Sequence, residues 1–288
     1  MRFLFLLLFS MNVMAHTPMI TTVGDGREII IHDGTVGELG SAAAAAVIVD
    51  IGGPLSQPCD RAGMTTCADA DPNTTYTATT TNWTALSHTY EFYVVYPFGT
   101  KNTPTTQKTN GWSWNAGICC GQAQESNDDS PDVAQIVAIL AAYPNDKQAI
   151  SGYSNGAEMA LRVVCEANIP TLRWVGVVGG TLSVPYCNNS RGVNIFHIHG
   201  DADPVELYEG GIGAVAADTH IGVDENARLI NESRFYCDKS DCHENNWRCL
   251  SDVYDGDWYD YYIHFRRVGG THNWGIGTAE QMWQKFGF

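Results

Sequence analysis

The chain has 288 residues, 44% of them apolar, and carries 16 basic against 32 acidic side chains, a formal charge of −16 at pH 7. Such a charge repels polyanions, which excludes nucleic acid as a partner and disfavours a strongly anionic polymer as a ligand. The apolar content is enough for a large core, and no linker separates compositionally different halves, so one domain is expected over residues 16–288.

At the N-terminus, Arg2 precedes the apolar run FLFLLLF, and Val13-Met14-Ala15 places small residues three and one before a cut. This pattern predicts a signal peptide over residues 1–15 and an exported protein beginning near His16. The run is far shorter than the roughly 20 residues of a membrane span, so no membrane partner is expected. Export makes the nine cysteines (Cys59, Cys67, Cys119, Cys120, Cys165, Cys187, Cys237, Cys242 and Cys249) candidates for disulfides, with at least one thiol left over within the chain. Cys237, Cys242, His243 and Cys249 match no standard zinc spacing, and His16 has no identifiable second ligand, so neither a metal nor a cofactor is expected. Sequons stand at Asn73, Asn82, Asn188 and Asn231.

In chain order, Ala44 to Val49 and Phe92 to Tyr96 read as buried strands, each ended by Gly or Pro. The stretch SPDVAQIVAILAAYP, from Ser130 to Pro144, has a capping Ser, a Pro at the first helical position and apolar residues at helical spacing. Lys147 to Ser151 is a short strand, and a helix follows from Asn155 to about Ala167. Strands are expected again at Trp174 to Val178, Val193 to Ile198 and Tyr259 to Val268, and a last helix at Thr278 to Phe286. The stretch from Gly210 to Asp257, rich in Gly, Asp, Asn and Cys, lacks clear periodicity and reads as loops bordering the site. Alternating strands and helices predict a mostly parallel central sheet with helices on both faces, whose sites form at the carboxyl ends of the strands.

Gly152-Tyr153-Ser154-Asn155-Gly156 lies between a predicted strand and a predicted helix. A Gly-x-Ser-x-Gly turn in that context is the nucleophile elbow of the α/β-hydrolase fold, whereas alone it is a weak motif. Serine needs a base and the base an orienting acid. His199-Gly-Asp-Ala-Asp-Pro204 leaves a strand end and offers Asp203 or Asp201, of which Asp203 is preferred. Gly269-Gly-Thr-His-Asn-Trp274 offers His272 in a loop able to return over the elbow. The order Ser, Asp, His is that of this fold. Oxyanion donors are expected at the amides of Asn155 and of Gly53, the latter in the turn after the first buried strand. Trp114 and Trp274, with Trp112, are candidates for stacking on an aromatic acid or sugar ring.

The blocks VVYPFGT, GWSWNAGICCG, SGYSNGAEMALRVVCE, HIHGDADPVELYEGG and GGTHNW, in that order, resemble the secreted esterases grouped as polyhydroxybutyrate depolymerases and feruloyl esterases, with their related carbohydrate esterases. The likeness spans most of the chain beyond the leader. It implies an α/β-hydrolase acting on polymer-linked esters, with the acid at Asp203, the base at His272, and a disulfide joining the Cys119-Cys120 segment to Cys165. The family's His-Gly after the first buried strand is Ile51-Gly52 here, and its Trp-Pro-Gly after the histidine is Trp274-Gly275-Ile276. The alternatives to a serine ester hydrolase are a peptidase of the same fold and an inactive polymer-binding homologue.

Overall fold

A computed structural model describes residues 18–34, 46–52, 81–101, 112–118, 131–145, 147–190, 192–213, 219–232, 236–240, 246–250 and 259–288. The expected leader, most of the cysteines and Gly53 lie outside them. Among the described residues no helix is long and apolar enough to cross a membrane.

The strands are β1 (Met19–Val23), β2 (Arg27–Asp33), β3 (Val47–Ile51), β4 (Tyr93–Pro97), β5 (Thr100–Lys101), β6 (Trp112–Ser113), β7 (Gln148–Tyr153), β8 (Leu172–Val178), β9 (Asn194–Gly200), β10 (Gly211–Ile212), β11 (Thr219–His220), β12 (Tyr236–Ser240), β13 (Asn246–Leu250) and β14 (Tyr259–Arg267). Ten of them form one sheet, in the order β1-β2-β4-β3-β7-β8-β9-β14-β13-β12. From β4 to β14 every neighbouring pair is parallel, while β1 and β2 at one edge and β12 and β13 at the other pair antiparallel. The helices are α1 (Trp83–Tyr90), α2 (Pro131–Ala142), α3 (Asn155–Glu166), α4 (Val223–Glu232) and α5 (Thr278–Phe286).

Successive strand residues point to opposite faces, and the core divides accordingly. Ile29, Ile31, Val47 and Val49 join one apolar cluster with Ile136, Ile139, Met159, Val163 and Ile230, from α2, α3 and α4. Ile30, Ile48 and Val94 join the other, with Trp83 of α1 and Met282, Trp283 and Phe286 of α5. On that second face Trp283 stacks on Phe92 at 4.4 Å between ring centroids. Burying one such large side chain stabilises the fold by about 1.5–3 kcal/mol, so helices on both faces are each held by several anchors. This is the mostly parallel, two-sided architecture that the alternation predicted.

The stretch from Gly210 to Asp257 departs from its reading as loops. It contains α4, and β12 and β13 extend the sheet as an antiparallel pair with Cys237 opposite Cys249 in register. Val223, Ala227 and Ile230 are the buried apolar residues of α4, spaced four and three apart as a helix requires. Asp, Glu and Asn between them conceal that spacing in the sequence.

Cys165, near the C-terminal end of α3, forms a disulfide with Cys187, which corrects the pairing with the Cys119-Cys120 segment implied by resemblance. The chain beyond β8 is held against that end of α3: the Asn188 amide donates to the Cys165 carbonyl at 3.1 Å and the Asn189 side chain to the Glu166 carbonyl at 3.1 Å. Cys187 is thereby the partner at hand, while Cys119 and Cys120 lie outside the described residues.

Candidate active site

Strand β7 runs into Ser154 and straight on into α3. Ser154 has φ 56° and ψ −129°, a strained conformation for a residue with a side chain. The reversal is tight enough to require both flanking glycines. A Cβ on Gly152 would lie 2.3 Å from the Gly156 carbonyl oxygen, and one on Gly156 would lie 2.2 Å from the Ile51 carbonyl oxygen. The motif therefore lets α3 sit directly against β3 and β7.

Strands β7, β9 and β14 are aligned in parallel within one sheet, so the segments leaving their carboxyl ends gather at one edge. Ser154 follows β7, Asp203 follows β9, and His272 follows β14. His272 Nε2 lies 2.9 Å from Ser154 Oγ, and its Nδ1 lies 2.7 Å from Asp203 Oδ2. Asp203 Oδ1 accepts the amides of Val205 and Glu206 at 2.8 and 3.0 Å. Burial opposes the charge on Asp203, but the hydrogen bond and charge of His272, with those two amides, outweigh it and hold the carboxyl below its ordinary range. The Tyr153 hydroxyl donates to the His272 carbonyl at 2.9 Å and ties the histidine loop to the elbow.

Asp201, the other candidate acid, is engaged elsewhere. Its Oδ1 accepts the Gly269 amide at 2.6 Å and its Oδ2 accepts Arg266 Nε at 3.0 Å. Asn155 opens α3, and its side chain is bonded to Trp114: the Trp114 amide donates to Asn155 Oδ1 at 2.8 Å, and Asn155 Nδ2 donates to the Trp114 carbonyl at 3.1 Å. Trp114 Nε1 also donates to the Gly52 carbonyl at 3.1 Å. Gly53, the second expected oxyanion donor, lies outside the described residues.

Neither expected stacking residue presents a ring face to solvent. Trp114 and Trp274 are 2% and 3% exposed, the first in one core cluster and the second in the other, edge-on to Tyr153. Trp112, at 6% exposed, is likewise buried, packed edge-on to Phe98.

Sequence reasoning missed a second polar constellation. Glu158, Glu206 and His220 are buried together. They come from α3, from the loop after β9 and from β11, a separation that no local motif records. The one local hint is that Glu158 lies four residues after the serine, one helical turn along α3.

No family model and no curated relative matches the chain. Among solved structures it is similar to a puromycin-hydrolyzing peptidase of Mycobacterium tuberculosis, with a TM-score of 0.52 and 10% identity over 94% of this chain and 38% of that one. The chain thus spans 38% of the length of that relative. It is also similar to an acetyl xylan esterase from Aspergillus awamori (TM-score 0.50, 10% identity, 94% of this chain and 99% of that one) and to a Bacillus cereus carboxylesterase (TM-score 0.50, 11% identity, 90% and 92%). At these identities the likeness establishes the fold, which is that of the α/β hydrolases.

Proposed function

We propose that this chain is a secreted serine hydrolase of carboxylic esters, built as one catalytic domain after removal of its leader, and that its substrates are polymer-linked. Feruloyl or acetyl esters of plant polysaccharide and a polyhydroxyalkanoate are the two substrate classes that the sequence resemblance suggests. The observation that carries the reading is the continuous relay from Ser154 Oγ through both ring nitrogens of His272 to a buried, ionised Asp203, at 2.9 and 2.7 Å.

In this reading Ser154 Oγ attacks the ester carbonyl while His272 Nε2 takes its proton. Asp203 keeps Nδ1 protonated and stabilises the imidazolium that forms. Charge on the tetrahedral oxygen is met by the first amide of α3, that of Asn155, with the positive end of the helix behind it. His272 returns the proton to the departing alcohol, leaving an acyl ester on Ser154. Water, deprotonated by the same imidazole, then releases the acid.

A peptidase is the second reading, favoured by the likeness to the puromycin-hydrolyzing enzyme. It ranks below the esterase because five ordered sequence blocks resemble esterases. Turnover on methyl ferulate, acetylated xylan, a short 4-nitrophenyl ester, a polyhydroxybutyrate suspension and a peptide anilide separates the readings. Hydrolysis of at least one ester with an inert anilide is expected. Anilide cleavage with inert esters would overturn the esterase reading.

A further inference from the structure

Glu158, Glu206 and His220 are 0%, 3% and 3% exposed, and one ligand atom from each lies within 4.8 Å of the other two. His220 Nδ1 faces Glu158 Oε1 at 3.3 Å and Glu206 Oε2 at 3.7 Å. Neither contact meets hydrogen-bond geometry, and neither ring nitrogen of His220 has a hydrogen-bond partner. Two carboxylates are thus buried together around an imidazole aimed between them. Among the described residues no Lys or Arg pairs with either one.

A proton shared between the ring and either carboxyl does not account for the placement of His220, because neither contact meets hydrogen-bond geometry. A metal accounts for it well. Donors held tetrahedrally about 2.0–2.2 Å from one ion stand roughly 3.3–3.6 Å apart, close to the 3.3 and 3.7 Å seen at His220. We propose that Glu158, Glu206 and His220 form a binding site for a divalent cation of the zinc class, with a water molecule as fourth ligand.

The surrounding contacts suit metal ligands, whose outer partners orient them. Ser183 Oγ donates to Glu158 Oε1 at 2.9 Å, Asn155 Nδ2 donates to Glu158 Oε2 at 3.1 Å, and the Thr181 amide donates to Glu206 Oε2 at 3.0 Å.

The ion would tie together the two supports of the relay. The Glu158 amide donates to the Ser154 carbonyl at 3.0 Å, and the Glu206 amide donates to Asp203 Oδ1 at 3.0 Å. Its role is to position the elbow and the acid loop; it touches none of the reacting atoms.

The test is a calorimetric titration of chelator-stripped, full-chain protein with Zn²⁺, paired with thermal melting. One equivalent should bind, and Tm should rise by about 5–10 °C at free Zn²⁺ a hundredfold above Kd. His220→Ala should weaken that binding at least about 100-fold, since removing even an outer partner of a ligand costs 10–100-fold. Should His220→Ala not fold, the isosteric Glu206→Gln carries the same comparison. No saturable rise in the wild type, or an equal rise in a folded variant, overturns the site. The titration is repeated on Ser154→Ala, which hydrolyses nothing in the ester reading, so the cation site and the ester reading stand or fall separately.

Discussion

Tyr153 and His272 are joined at the backbone of the histidine loop: the Tyr153 hydroxyl donates to the His272 carbonyl at 2.9 Å while the two rings lie 5.2 Å apart. The residue before the strained serine therefore helps to hold the imidazole over it. Tyr153→Phe keeps the ring and deletes the hydrogen bond, which contributes about 0.5–1.5 kcal/mol. The expected result is a fall in kcat of up to about tenfold on any cleaved ester, with KM nearly unchanged and Tm lower by about 1–6 °C. Unaltered kcat would show that the loop is held without this contact.

Gly156 has no room for a side chain, since a Cβ would lie 2.2 Å from the Ile51 carbonyl oxygen. Gly156→Ala must push α3 off β3. Overpacking of this kind costs about 1–3 kcal/mol, and the displacement carries Ser154 away from His272. Denaturant melting should show the loss of stability together with reduced turnover, whereas a variant normal in both would mean that the elbow is looser than its contacts indicate.

The two candidate acids separate by mutation. Asp203→Asn should lower turnover by about four orders of magnitude, because an amide favours the wrong imidazole tautomer. Asp201 instead ties its loop to Gly269 and Arg266, and Asn retains an oxygen for the Gly269 amide. Its loss of charge should cost less than about 1 kcal/mol of stability and little activity. Turnover numbers ranked the other way would move the acid by two residues.

Stability should fall on acidification well before carboxylates such as Asp203 take up protons. Burial pushes His32 down to about 4, with His88 adding to the shift, and pushes His264 down to about 4, with His199 and Arg266 adding. His197 lies well below the usual histidine range for the same first reason, then through His264 and His199. Folded values below the unfolded 6.5 mean that the unfolded chain binds more protons in between. The contribution of these rings is therefore complete above about pH 6.5 and is lost as pH falls towards about 4. Tm measured across that window should decline by about 2–4 °C for each kcal/mol lost. His264→Gln should flatten the decline, and an unchanged slope would show that His264 does not drive it.

The relation between the serine and its neighbours was legible where chemistry and strand ends coincide. Gly152 and Gly156 mark a backbone too crowded for a Cβ, and that requirement is local. Asp203 and His272 each follow an apolar strand, so parallel alignment brings them to the same edge as Ser154. What escaped detection was either masked by composition or assembled from afar. The apolar positions of α4 sit among Asp, Glu and Asn, and strands β1 and β2 were not recognised at all. Trp114 and Trp274 are chemically able to stack on a ligand, and only packing decides that both indoles are buried. Glu158, Glu206 and His220 come from three elements, and Cys187 reaches Cys165 from the segment beyond β8. No spacing rule links those pairs.

The central claim is that Ser154 is the nucleophile of an ester hydrolase, and the turnover of Ser154→Ala tests it most directly. On whichever ester the wild type cleaves fastest, the variant should fold normally by circular dichroism and melting, and lose several orders of magnitude in kcat through loss of the covalent route. A folded Ser154→Ala protein that keeps most of the wild-type turnover would contradict the account.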